Sequence, residues 1–594
     1  MRRTAVLLAL LPALVSAGTV PSTAATAAPP KVPVATGYGG AVSTVDADAT
    51  AAGLGVLRRG GNAVDAAVAA AAALGVTEPY SSGVGGGGFL VYRDGRTGRV
   101  STIDGRETAP GAFRPETFTE AGKPIPFPDA VTSGLSVGVP GTPLLWDRAL
   151  ARWGSVSLRS ALGPAATLAR RGFVVDDTFR QQTADNEARF RDFPATRRLF
   201  LPGGRLPAVG SVLRNPDLAA TYDLLGRDGV RALYDGPIGR DVVRAARRPP
   251  VDPAAGRTVR PGLMTAADLA RYTAPFRAPT RVRFHGLDVY GMAPPSSGGS
   301  TVGEALNIVG AYPGGGPYLH RYLEASTLAF ADRNRWVGDP AYVDVPLRGL
   351  LSPRYADSRA CLISPDRALP VPQPPGDPAH PAPCAPAGAA TAEPHEGLST
   401  THLTTADRWG NVVAYTLTIE QTGGSGITVP GRGFLLNNEL TDFDFVPLTP
   451  GVPDPNLPAA GKRPRSSMAP TIVLRDGQPL LAVGSPGGAT IITTVLQILL
   501  GRLDAGLSLP DAIAAPRASA RNNAAADAEP AFLSSPGAAA LRALGHTFTR
   551  VPEIGAATGI EFGPGGLLTA VAEPRRRGGG AAAVVVPADR TIAR

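Results

Sequence analysis

Cysteine is nearly missing from this chain: two residues, Cys361 and Cys384, in 594. That count excludes a disulfide-dense scaffold and a four-cysteine zinc site. Aromatic residues make up only 6% of the chain, and lysine occurs only at Lys31, Lys123 and Lys462. The net charge of +9 is therefore carried by arginine, scattered among acids apart from Arg575-Arg576-Arg577. Nucleic-acid binding needs a clustered basic face or a recognisable module, and neither is visible, so a solvated surface is the better reading. There is no G-X-Y period, which excludes collagen, and no internal repeat. The 72 Gly and 60 Pro stay below the low-complexity range of about 25–30%, and a hydrophobic content of 43% argues against disorder. Past the N-terminus no run reads as transmembrane: Ala63 to Val76 is apolar but short, Ala-rich and interrupted by Asp65, which fits a buried helix.

What is present begins with an export signal. Met1-Arg2-Arg3 leads into the apolar run Ala5 to Val15, then small residues with Ala25-Thr26-Ala27 as an A-x-A cleavage site. This is the layout of a secretory signal peptide, too short to span a bilayer, and it predicts a secreted protein. Cleavage after Ala27 removes two arginines and no acid, taking the charge from +9 to +7. In an exported chain Cys361 and Cys384 are expected to form one disulfide, with free thiols as the alternative. They lie in or beside a Pro-rich stretch, Pro365 to Pro394, read as exposed and irregular.

Along the chain, Asp48 to Arg59 and Ala63 to Leu74 read as helices split by Gly60-Gly61-Asn62, with Asp48 as N-cap. Strands are predicted at Phe89 to Arg93, Val100 to Ile103, His402 to Ala406, Val412 to Ile419, Thr471 to Arg475, Leu480 to Val483, Leu567 to Val571 and Ala581 to Val586. Helices are predicted at Thr142 to Arg152, Thr265 to Tyr272, Gly303 to Gly310, His320 to Trp336 and Ala489 to Leu500. Length alone allows roughly four domains, but helices flanking groups of strands at both ends suggest a layered sheet packed between helices.

Two motifs look like chemistry and are rejected on context. Gly83 to Gly88 satisfies G-x-G-x-x-G, yet Pro79 lies upstream and a strand follows, the wrong order for a dinucleotide loop; these glycines are read as letting backbone pass close to something bulky. Gly134-Leu-Ser136-Val-Gly138 satisfies G-x-S-x-G, but Val139-Pro140-Gly141 follows instead of a helix, leaving a serine hydrolase a weak reading. There is no P-loop, no H-E-x-x-H and no metal-spaced cluster among the six histidines.

The informative blocks are Arg58-Arg-Gly-Gly-Asn62-Ala-Val-Asp65, Asp104-Gly-Arg106-Glu107-Thr-Ala-Pro110, Leu398-Ser399-Thr400-Thr401-His402, Asp407-Arg-Trp-Gly410-Asn411, Tyr415 to Gly426, Gly433 to Phe443, Lys462 to Thr471 and Gly484-Ser485-Pro486-Gly487-Gly488. In this order they resemble the γ-glutamyltranspeptidase (glutathione hydrolase) family, from about Ala35 to the C-terminus and most densely near Gly53–Pro110 and Thr400–Gly488.

The resemblance implies an α+β fold, the αββα sandwich of N-terminal nucleophile hydrolases. It also implies a precursor that cuts itself between Ser399 and Thr400. The chain then divides into a signal peptide (1–27), a large subunit (28–399, with its Pro-rich end 365–399) and a small catalytic subunit (400–594) that remain one heterodimer. A hydroxyl is a poor nucleophile until something takes its proton, and a freed α-amine on the same residue, with a reference pKa of about 7.7–8, can do so. His402 is the competing base, although strand alternation accounts for it as a structural residue. Thr401 rivals Thr400 on chemistry alone, and the family pattern puts the nucleophile first.

By resemblance Arg106 grips the α-carboxylate of a γ-glutamyl group, helped by Ser466 and Ser467, while Asp442 and Glu439 receive its ammonium. Thr418 bonds the nucleophile. Gly487 and Gly488, just before a helix, offer amides to an oxyanion. Glu420 stands where many members have Asn, and an acid there still suits an ammonium. The segment Phe443 to Gly461 is Pro-rich and shorter than the lid loop of members that cover the site. The implied substrates are glutathione and other γ-glutamyl compounds, with water, amino acids or peptides as acceptors. No metal or organic cofactor, nucleic acid or membrane span is implied. The competing expectations are a related acylase for glutaryl-type or specialised-metabolite substrates, and a binding protein that no longer processes itself.

Overall fold

The computed structural model describes residues 29–382, 384, 397 and 399–588. The signal-peptide reading of residues 1–27 lies outside them, as does most of the Pro-rich stretch beyond Ala382.

Strand β1, Val34–Thr44, organises the molecule. The other strands of the main sheet are β2 (Gly87–Arg93), β3 (Val100–Asp104), β4 (Phe276–Arg277), β5 (Thr280–Phe284), β6 (Leu287–Gly291), β7 (Thr401–Asp407), β8 (Val412–Thr418), β9 (Thr471–Arg475), β10 (Gln478–Gly484), β11 (Thr558–Phe562), β12 (Leu568–Ala572) and β13 (Ala581–Pro587). They hydrogen-bond in the order β4-β3-β2-β8-β7-β1-β12-β11-β10-β9-β6-β5, with β13 also on β1.

β1 changes partners along its length. Val34–Gly37 pair antiparallel with β12, and Gly40–Ser43 pair with β7. Between these halves the register against β13 shifts, at Gly39 and Gly40, whose φ values of 81° and 139° suit glycine. The ladder bends there into two stacked layers. Ala41, Ala406, Ile560, Ala570 and Ala582 fill the space between them. Those glycines also broke the apolar alternation, so β1 was missing from the sequence expectations.

Helices close both outer faces. On one side α1 (Ala47–Arg58) packs on β1 and β13, and α2 (Ala63–Thr77) on β7 and β8. α2 is buried along its whole length, and its alanines let it lie close to the sheet. α3 (Gly298–Ala311), α4 (Tyr318–Trp336) and α5 (Thr490–Leu503) form the opposite outer layer with β9 and β10. The result is the expected αββα sandwich.

Differences from expectation are local. The N-cap of α1 is Asp46, whose side chain accepts from Ala49 N; Asp48 sits in the first turn. α3 starts five residues earlier than predicted, at Gly298-Gly299, where a β-carbon on Gly299 would approach Met292 O to 2.3 Å. Between Pro110 and Thr280 the longest helices that escaped prediction are Leu158–Arg171, Asp177–Arg191, Pro216–Asp228 and Pro237–Arg247. Three of them carry proline inside or at the first turn, which reads as a break in sequence but is tolerated at helix starts. Cys361 and Cys384 are joined in a disulfide. No helix among the described residues is long and apolar enough to cross a membrane.

Candidate active site

The site grows out of the β7–β8 ladder. Thr401 pairs with Leu417 and His402 with Thr416, so one rung further out Thr400 meets Thr418. Their hydroxyls are 3.2 Å apart. The Thr400 hydroxyl also donates to the Ser399 carbonyl, that of the peptide bond preceding it. Thr418 donates to the same carbonyl at 3.0 Å and accepts the Glu420 N–H at 2.9 Å. Thus the Thr400 hydroxyl touches a carbonyl and another hydroxyl, and neither is a base.

The glycine loop before β2 serves this ladder. A β-carbon on Gly86 would lie 2.0 Å from Thr418 O, and one on Gly85 would lie 2.0 Å from Leu435 O. The bulky neighbour expected from sequence is therefore the backbone that carries Thr418. On the other side Arg577 donates to Thr400 O at 2.6 Å, to Ser81 Oγ at 2.7 Å and to Glu78 at 3.0 Å. Ser81 Oγ in turn lies 2.9 Å from Ser399 Oγ. Of Arg575-Arg576-Arg577, read as solvated surface, only Arg575 is exposed: Arg576 is buried against Glu529 and Glu573, and Arg577 holds the carbonyl of Thr400. Nothing in the local sequence distinguishes that arginine from an exposed one.

The far end of the site is charged. Arg106 follows β3, its N–H held by Asp104 Oδ1 at 2.9 Å. Glu439 and Asp442 bracket a single 3₁₀ turn, where residues three apart eclipse, so both carboxylates face one way. Arg106 donates to Glu439, and at 2.5 Å to Asp442. Its remaining bonds go to Pro464 O at 3.2 Å and Arg465 O at 2.9 Å. A buried guanidinium tied to two carboxylates is a strong charge-assisted cluster. Glu420, in a left-handed turn at φ 79°, receives Asn438 Nδ2. Burial and the neighbouring Asp442 charge push its carboxyl well above the usual range, against the pull of Asn438 and Arg106. A β-carbon on Gly397 would overlap Glu420 Oε1, so the chain leading to Thr400 passes directly over that carboxyl.

These residues meet. Arg106, Ser399, Thr400, Thr418, Glu420, Glu439, Asp442, Ser466, Ser467 and Gly488 line one small cavity. Ser467 Oγ accepts from Arg333 Nη2 at 2.8 Å, a buried arginine on α4 with no sequence signal of its own. Gly488 forms part of the wall, while Gly487 sits one residue back, its φ of 135° accommodating the turn into α5. The segment after Phe443 is pinned to the wall by Asn456, whose Nδ2 donates to Asp442 O at 2.7 Å and whose Oδ1 accepts Arg465 N at 2.8 Å.

The competitors fall away on geometry. His402 lies between the sheets, its ring nitrogens 2.8 Å from Thr416 Oγ1 and 3.2 Å from Thr404 Oγ1, over Gly484. Burial pushes its pKa down to about 3. Alternation sends Thr401 to the opposite face of the strand. Ser136 is buried, and its hydroxyl is spent on Val131 O and Ser133 O. Apart from this site, His320, Glu324 and His546, which sequence spacing does not group, bring one potential ligand atom each within 4.8 Å of one another.

Residues 49–583 match the family model for gamma-glutamyltranspeptidase. The chain belongs to that family. It is 40% identical to the glutathione hydrolase proenzyme of Bacillus subtilis strain 168 over 532 residues, covering 86% of each chain. It is 36% identical to the acylase ACY 1 proenzyme of Pseudomonas sp. strain V22, covering 91% of this chain and 92% of that one. The crystal structure of a cephalosporin acylase from Bacillus halodurans superposes with a TM-score of 0.78 at 27% identity, covering 95% of this chain and 99% of that one. As a γ-glutamyltranspeptidase-family protein, the chain is thus an enzyme of a group that includes both glutathione hydrolases and acylases, and its fold is that of N-terminal nucleophile hydrolases.

Proposed function

We propose that this family member is a secreted, self-processing γ-glutamyltransferase/glutathione hydrolase. The observation that carries the reading is the sharing of one cavity by the Thr400 hydroxyl and the Arg106–Glu439–Asp442 cluster. In the precursor, Thr400 Oγ attacks the Ser399 carbonyl carbon, the Ser399–Thr400 C–N bond breaks, and the nitrogen leaves as the α-amine of Thr400. Water then hydrolyses the resulting ester. Thr418, donating to the Ser399 oxygen, polarises that carbonyl. The cut pieces stay together because β1, from residues before 400, is paired on both sides with strands from after it.

In turnover the α-amine takes the hydroxyl proton as Thr400 Oγ attacks a γ-amide, and passes it to the leaving amine. Amides of Gly487 and Gly488 face the developing oxyanion. Water or an amino-acid or peptide amine then takes the glutamyl group from the ester. The donor's α-carboxylate pairs with Arg106, Ser466 and Ser467, and its ammonium with Asp442, Glu439 and Glu420. One cation, Arg106, faces the two carboxylates of Glu439 and Asp442, and this excess of acid favours an ammonium over a bare glutaryl chain. That is the argument against the acylase reading, which the similarity to acylases otherwise supports.

A denaturing gel with N-terminal sequencing tests the processing: two chains are expected, the smaller beginning at Thr400, and a chain that stays whole overturns the mechanism. Parallel turnover of γ-glutamyl and glutaryl anilides tests the substrate, with equal or faster glutaryl cleavage favouring the acylase. Fractionation tests export, with an N-terminus at Ala28 expected outside the cytoplasm.

A further inference from the structure

Helix α4 carries His320 and Glu324 four residues apart, hence on one face. Opposite them lies His546, 226 residues away in sequence from His320 and placed by the turn before the strand Phe548–Arg550. The three side chains point ligand atoms at one another: His320 Nδ1 is 2.8 Å from His546 Nε2, and His546 Nε2 is 3.7 Å from Glu324 Oε1. All three atoms lie within 4.8 Å of one another. At the ~2.0–2.1 Å bonds of a tetrahedral zinc site, neighbouring ligand atoms sit about 3.3 Å apart. The two spacings to His546 Nε2 straddle that value, each within about half an ångström of it.

The surroundings are those of a prepared ligand set. His320 Nε2 lies 2.8 Å from Ser364 O. A carbonyl can only accept, so that nitrogen carries the proton and Nδ1 presents its lone pair inward. Glu324 Oε2 accepts Leu369 N at 2.9 Å, which leaves Oε1 facing the histidines. Both helix residues are therefore oriented by one loop, 364–369, through the atoms that face away from the cluster, the kind of outer hydrogen bond that fixes the direction of a metal ligand. The cluster brings together two imidazoles and one carboxylate, a donor set suited to a borderline divalent ion. The site lies outside the cavity of Thr400, sharing no residue with its lining.

We propose that His320, Glu324 and His546 bind one divalent transition-metal ion of the Zn²⁺ class, with water in the fourth position. Such an ion clips α4 to the C-terminal part of the chain and tightens their contact. Binding moves the His546 proton from Nε2 to Nδ1 and expels whatever proton Glu324 carries.

The test uses the full-length protein, stripped with chelator and titrated with Zn²⁺ alone and with Co²⁺ alone. One ion per chain is expected, with a rise in melting temperature and visible Co²⁺ absorption of low-coordinate type. Glu324→Gln keeps the shape and the bond from Leu369 N. This variant and His546→Gln should each weaken binding by at least about tenfold, by comparison with the 10–100-fold cost of losing even an outer-shell partner. Thr400→Ala, which by the reading above leaves the chain uncut, should bind equally; loss of binding there would assign the ion to the α-amine of Thr400 instead. Absence of stoichiometric binding by the wild type, or unchanged binding in both Gln variants, overturns the proposal and leaves a histidine–histidine hydrogen bond.

Discussion

Thr400 and His402 stand two residues apart on the same face of the same ladder, yet their surroundings assign them opposite fates. His402 is enclosed between the sheets, its nitrogens bonded to Thr404 and Thr416, and its pKa is driven down to about 3 by burial. Thr400 sits at the ladder's end, where the space between the layers opens into a cavity. By residue type histidine is the better general base and threonine the poorer nucleophile. Depth along the ladder reverses that order, because a base that cannot be charged cannot accept a proton, whereas a hydroxyl at a cavity wall can reach a substrate.

Removing the Thr400 hydroxyl tests that contrast most severely. Thr400→Ala should leave the chain whole and lower turnover to background, while Thr400→Ser should restore both in part; an active, processed Ala variant would move the chemistry elsewhere. Arg106→Leu comes next. It leaves Glu439 and Asp442 without their buried cation, a change that typically costs about 3–5 kcal/mol. It should raise KM for γ-glutamyl donors by roughly a hundredfold or more, with a visible loss of melting temperature. Unchanged KM would mean that the cluster is structural. Thr418→Val removes one neutral hydrogen bond on each side, worth about 0.5–1.5 kcal/mol apiece. Processing and kcat should slow by roughly ten- to a hundredfold, with KM little changed.

His402→Gln is expected to have the smallest effect at neutral pH, and its signature lies in pH. Because the folded pKa is about 3 against an unperturbed 6.5, the unfolded chain binds the extra proton as pH falls through that window. Wild-type stability should therefore drop between about pH 6.5 and 3 by up to ~1.4 kcal/mol per pH unit from this residue. The variant lacks that slope, so urea midpoints of the two proteins should converge on acidification. A pH–rate profile shifted by the substitution would instead make His402 part of the chemistry.

Much of this site was legible as residues but not as an arrangement. The Thr-Thr-His string, the Asn-Asn-Glu-Leu-Thr-Asp block and the Gly-Ser-Pro-Gly-Gly string were each readable, and the structure brings Thr400, Asp442 and Gly488 to one wall. Between Thr400 and Thr401 only the family pattern chose, since the two are equal on chemistry; the strand's alternation, seen in the structure, sends Thr401 to the other face. Not legible were Arg577 on the Thr400 carbonyl and Arg333 on Ser467, because their partners lie 177 and 134 residues away. Of the long helices missed between Pro110 and Thr280, two were hidden by a proline at the first turn and one by Pro164 in its interior.

By itself, the amino-acid sequence determined what acts over a few residues: strand and helix periods, the glycine loop that must pass close to a neighbour, the family's motifs and their order. Only the tertiary structure decided which rung of the ladder meets open space, that Arg106 is held by acids more than 330 residues away, and that His320 and Glu324 face His546. Local pattern follows from backbone geometry, which every short segment carries with it. Burial, charge pairing and ligand convergence depend on which distant segments the two-layered sheet presses together.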